Sequence, residues 1–123
     1  MTLLAQLTDT HVLDPRSDET RYVDNNGRLA EAVAAINAES PQPDVVLATG
    51  DLVNWGHQPE YDQLMMLLEP LQAPVLALPG NHDDRARIRD AFPSTPWADA
   101  EHASWLSQVG PVSVIGLDST IPG

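Results

Sequence analysis

Pro74-Val75-Leu76-Ala77-Leu78-Pro79-Gly80-Asn81-His82-Asp83 decides how this chain reads. A short apolar run fenced by prolines suits a buried strand. It runs into a glycine and then into residues that carry oxygen and nitrogen donors. Two similar junctions precede it. Residues 3–7 lead into Thr8-Asp9-Thr10-His11, and residues 45–48 lead into Thr49-Gly50-Asp51-Leu52. In an open parallel sheet the carboxyl ends of the strands lie side by side, and that edge is where such folds place their sites. Three strand ends would then bring their donors to one place.

The segments between the junctions read as helices. Leu29, Val33 and Ile36 fall on one helical face, with Asn25 or Asn26 as a cap and Ser40-Pro41 as the stop. After Gly56, Pro59 and Glu60 suit a first turn. Tyr61, Leu64, Met65, Leu68 and Leu71 continue at helical spacing, and the methionines read as core filler. Asp83 or Asp84 caps a short basic helix through Arg85, Arg87 and Arg89 to Phe92, whose arginines read as a solvated face. Residues 103–109 and 112–117 form a hairpin about Gly110-Pro111. The order β-α-β-α-β-α-β-β makes the fold α/β, with right-handed crossovers.

Composition narrows the classes. A chain of 123 residues is at most one domain, or part of one, and 42% hydrophobic residues can build a core. Against 6 Lys+Arg stand 18 Asp+Glu, a net charge of -12, so a nucleic-acid footprint is not expected. There are no cysteines, which removes disulfides and thiolate metal sites. No basic leader precedes a long apolar run, and no apolar stretch reaches the roughly 20 residues of a membrane span. The expectation is a cytoplasmic protein with no membrane contact.

Asp9 and His11 sit one residue apart, so they share a side if the chain stays extended. Asp51 and Asn81, each behind a glycine, recur at the same structural place, and glycine permits tight turns and close approach. The junctions lie roughly 30 to 40 residues apart, which fits β-α-β units of about 30 residues. Oxygen and imidazole donors without sulfur suit Mn, Fe or Zn.

Asp9-x-His11, Gly50-Asp51 and Gly80-Asn81-His82-Asp83 together resemble the calcineurin-like metallophosphoesterases, or metallophosphatases. The run from Gly80 to Arg85 and the closing Leu117-Asp118-Ser119-Thr120 are most similar to the branch of class III cyclic-nucleotide phosphodiesterases and glycerophosphodiesterases. The resemblance implies two divalent metal ions: Asp9 and His11 on the first, Asp51 bridging, Asn81 on the second. It implies His82 as general acid or charge stabiliser, with Asp83 orienting it. It implies hydrolysis of a small phosphodiester, cyclic nucleotides first, by a hydroxide shared between the metals. Two divalent ions would leave the site positive for an anionic ester despite the acidic chain.

The family pattern continues with a Gly-His and a Gly-His-x-His motif that residues 1–123 do not contain. The expectation is therefore one truncated domain, the N-terminal half of an αββα sandwich. Neither His57 nor His102 sits at a matching position. An apolar sheet face would lack its cover, which a soluble monomer rarely tolerates, so a homo-oligomer is expected to complete the fold. The alternative to an enzyme is a catalytically deficient remnant that serves as an oligomeric or interaction module.

Overall fold

A computed structural model describes residues 1–121. Strands β1 (Leu4–Leu7), β2 (Val45–Thr49) and β3 (Val75–Leu78) form a parallel sheet in that order. Helices α1 (Asn25–Asn37) and α2 (Gln58–Leu68) make the crossovers, and α3 (Arg85–Ala91) follows β3. Strands β4 (Trp105–Val109) and β5 (Val112–Gly116) pair as an antiparallel hairpin. The α/β order read from the sequence holds, with one added 3-10 turn, Asp18–Arg21, inside the first loop. The whole fits the N-terminal part of the metallophosphoesterase fold.

The two-residue period of the strands sorts the core into two layers. Ala48, Val75 and Ala77 face the helices and meet Leu29, Val33, Tyr61, Leu64, Leu68, Ile88 and Phe92. Val45, Leu47, Leu76 and Leu78 face the other way, onto Trp105, Val109 and Val114 of the hairpin. Burial on both faces explains why β2 is apolar without alternation. Trp105 anchors the second layer. Its indole N–H donates to the Ala77 carbonyl at 2.7 Å, and its ring fills the space that a side chain at position 116 would need. The hairpin thus covers the second face over β2 and β3, while on β1 the same face stays open at Leu4, 39% exposed. A further exposed apolar face lies one layer out, where Leu106 and its register partner Ile115 are 63% and 67% exposed.

Several local readings need correction. Asp24, not Asn25 or Asn26, caps α1, accepting from the Gly27 N–H at 3.0 Å. The two asparagines instead hold the loop after β1: Asn25 donates to the His11 carbonyl, and Asn26 both accepts from and donates to the Leu13 backbone. Met65 and Met66 are exposed rather than core filler, because the buried stripe of α2 runs through Tyr61, Leu64 and Leu68. Glu60, read as an ordinary first-turn residue, is buried and accepts from the Trp55 and His57 N–H groups.

The arginines of α3 are not a solvated face. Arg85 pairs with Asp118 at 2.7 Å and donates to Thr120, Arg87 donates to the Gly56 carbonyl, and Arg89 donates to the Asp99 and His102 carbonyls. Arg89 also lies 5.6 Å over the Trp97 ring. Each guanidinium ties α3 to a different segment.

Position 80 takes no side chain. A β-carbon there would collide with the Asp51 carboxylate and backbone nitrogen, while one at Gly50 would press on the Gly80 backbone. The second and third junctions therefore touch through glycines. Gly80→Ala should lower stability by about 1–3 kcal/mol, the usual range for overpacking. An unchanged denaturant midpoint would show that the loops can part.

The Asp118 side chain is wholly buried. Burial pushes its carboxyl up, but bonds from the Thr120 hydroxyl, the Ala103 and Thr120 N–H groups and Arg85 outweigh that and bring it from 3.8 down to about 2. A folded value below the unfolded one means stability that is present above about pH 4 and lost as pH falls toward 2. The loss should be roughly 2 kcal/mol, read by chemical denaturation as a gap between wild type and Asp118→Asn that closes in acid. A gap that stays constant with pH would contradict it.

Candidate metal centre

The first two junctions are zipped together beyond the ends of their strands. The Asp9 N–H donates to the Gly50 carbonyl, His11 to Asp51, Val12 to Leu52, and Asn54 returns to Val12, all within 2.9–3.1 Å. Val12 and Val53, both buried, form a parallel bridge that closes this extension. Between the strands and the bridge the chain bends through left-handed turns. Asp9, His11 and Asp51 have φ of 54°, 41° and 49°, and no other non-glycine residue among those described has positive φ. Such conformations are costly for residues with a β-carbon and cluster where function demands them.

These bends turn His11 and Asp51 toward each other and leave Asp9 beside His11, largely exposed. His11 Nε2 lies 3.8 Å from Asp9 Oδ1 and 3.7 Å from Asp51 Oδ2. His11, Asp51 and His82 form one donor group whose ligand atoms all lie within 4.8 Å of one another. The His11 and His82 rings meet edge to face, 4.8 Å between centroids and 86° apart. The distances from Nε2 to the carboxylates exceed hydrogen-bond length. They approach the spacing of about 3–3.5 Å between ligands each some 2.1 Å from one ion. The Asp51 carboxylate and two imidazoles drawn together in this way, with the Asp9 carboxylate beside His11, fit a divalent cation, and the donors suit Mn, Fe or Zn.

The third junction is strapped to the second. Asp83 accepts from the Gly80, Leu52 and Val53 N–H groups, and the His82 N–H donates to Asp51 Oδ1 at 3.0 Å. Burial raises the Asp83 carboxyl above the usual carboxylate value. The three N–H bonds offset part of that rise, while the nearby Asp51 charge adds to it. The Asp83 bonds run to loop backbone, so it shapes the loop that carries His82. Burial and then the Asp83 charge likewise raise the Tyr61 phenol, whose hydroxyl accepts from the Asp84 N–H at 2.8 Å.

Of the residues singled out from sequence, His11, Asp51 and His82 converge, Asp9 joins through His11, and Asn81 is exposed in the same turn. Thr8 supports Asp9, its hydroxyl donating to Oδ2 at 2.7 Å. Sequence reading missed Asn54. Its side-chain oxygen lies 3.1 Å from His11 Nδ1, and its carbonyl lies 2.6 Å from His82 Nδ1. It also missed Glu19, which accepts from the Asn54 amide and from the Trp55 indole. Their signal is weak, since an asparagine in a turn and a glutamate in a polar loop usually serve the local backbone or the solvent.

Comparison with known proteins agrees with the geometry. The sequence model of the calcineurin-like phosphoesterases matches residues 2–120. A probable cyclic nucleotide phosphodiesterase of Rhodopseudomonas palustris is 43% identical over 92% of this chain and 41% of its own length. A probable glycerophosphodiester phosphodiesterase of Arcobacter nitrofigilis is 31% identical over 98% of this chain and 45% of its own. The cAMP/cGMP dual specificity phosphodiesterase of Mycobacterium tuberculosis is 33% identical over 98% of this chain and 39% of its own. The chain thus spans less than half the length of these relatives. With three donor-bearing strand ends, a family match across nearly all its residues and relatives of one kind, the chain belongs to the calcineurin-like metallophosphoesterases.

Proposed function

We propose that this chain carries the N-terminal part of a metal-dependent phosphodiesterase site for small phosphodiesters, cyclic nucleotides first and glycerophosphodiesters next. The observation that carries this reading is the set of left-handed turns at Asp9, His11 and Asp51, which bends three non-glycine residues toward one point.

Asp9 and His11 would hold a first divalent ion, Asp51 would be shared with a second, and Asn81 would bind that second ion. The ions would supply Lewis acidity toward the phosphoryl oxygens and an activated water. His82 is fixed through Nδ1 on the Asn54 carbonyl, which leaves Nε2 to hold or give a proton at an ester oxygen. Asp83 keeps the His82 turn against the Asp51 loop. The acidity of the chain is no obstacle, because bound cations reverse the local sign.

Calorimetric titration with Mn²⁺, followed by hydrolysis of a chromogenic phosphodiester, tests the reading. Mn²⁺ uptake should be lost in Asp51→Ala. Metal-stimulated turnover should fall about 100-fold or more in His82→Ala, the scale of an acid–base group. Uptake without turnover would favour a metal-binding module over an enzyme. No Mn²⁺ uptake at micromolar concentrations would overturn the metal site itself.

A further inference from the structure

We propose that Glu19 and Asn54 act as positioning residues that fix where the imidazole protons sit: His11 turns an unprotonated Nε2 toward the cation position, and His82 keeps its hydrogen on Nδ1, which leaves Nε2 free for the proton it would hold or give at an ester oxygen; this rests on the metal-site reading above. The assignment follows from which partners can only accept. The Asn54 carbonyl has no proton to give, so His82 Nδ1, 2.6 Å away, carries the hydrogen. The ionised Glu19 carboxylate can only accept, so the amide nitrogen of Asn54 faces Glu19 Oε2 at 3.3 Å. That turns the Asn54 oxygen toward His11 at 3.1 Å, and His11 Nδ1 must be the donor.

Glu19 is itself held. The Trp55 indole N–H donates to its other oxygen at 2.7 Å, and the Ser17 hydroxyl accepts from its backbone N–H at 3.2 Å. Asn54 is pinned through its own N–H on the Val12 carbonyl at 3.1 Å. A glutamate in the first loop thereby decides the tautomer of a histidine at the first junction. With the opposite tautomer, an N–H would point from His11 toward Asp9 and Asp51 and close that position to a cation. Partners that orient a ligating histidine in this way are commonly worth about 10–100-fold in metal affinity.

The test reads the tautomers directly, by long-range proton–nitrogen correlation on metal-free protein labelled at histidine, at mildly alkaline pH. Wild type should show Nδ1–H for both His11 and His82. Asn54→Ala should shift His11 toward the Nε2–H form and leave His82 unchanged, because the main-chain carbonyl survives the substitution. Asn54→Asp keeps an acceptor and should retain Nδ1–H on His11. Glu19→Gln frees the amide to turn over and should give a mixture there, and it carries the test if Asn54→Ala does not fold. Mn²⁺ affinity should fall about 10–100-fold in Asn54→Ala. A wild-type His11 in the Nε2–H form, or one that keeps Nδ1–H in Asn54→Ala, would overturn the proposal. Wild-type protein that shows the expected tautomers yet takes up no Mn²⁺ would overturn the metal-site reading and leave the proton placement standing.

Discussion

The main-chain zipper between the segments that follow β1 and β2 is the constraint on which the site depends. Hydrogen bonds from Asp9, His11 and Val12 to Gly50, Asp51 and Leu52 keep the two chains paired through bends that would otherwise separate them. The pairing holds the backbone in place while left-handed φ values rotate Asp9, His11 and Asp51 off the strand faces. Were the chains to continue as plain strands, alternate residues would point to opposite faces of the sheet and the donors would be split between the two apolar layers. The glycines complete the arrangement, since only a bare Gly80 lets the third junction lie against Asp51.

This geometry is costly. Each left-handed residue with a β-carbon carries a penalty of roughly 1–2 kcal/mol, and the three together amount to a sizeable share of the 5–15 kcal/mol by which domains are commonly stable. The converging carboxylates add repulsion. The structure offsets these terms locally, through buried valines at the bridge, the N–H bonds to Asp83 and the asparagines that hold the loop after β1. A cation bound at the centre would stabilise the folded chain further, since ligands that bind only the folded form raise its stability by mass action.

What could be read from the sequence is what is local or periodic. The apolar runs ending in Asp9, Asp51 and Asn81 marked the strands, and helical spacing at Leu29, Val33, Leu64 and Leu68 marked the crossovers. What could not be read depends on partners far along the chain. The three arginines of α3 look like a solvated face until residues 56, 99, 102, 118 and 120 are folded around them. The roles of Glu19 and Asn54 likewise exist only once the first loop lies beside the second junction. The exposure of Met65 is not legible either, because a helical stripe two residues wide leaves its neighbours ambiguous by one position.

The two bonds to Ala77 have an effect beyond packing. Its N–H donates to the Thr95 hydroxyl at 3.2 Å, and its carbonyl accepts the Trp105 indole at 2.7 Å. Ala77 lies on β3, the outermost strand on that side of the parallel sheet. Both of its outward backbone groups are therefore spent on side chains of this same molecule. A foreign strand arriving at that border finds them taken, so the sheet is guarded there against edge-to-edge growth into aggregates.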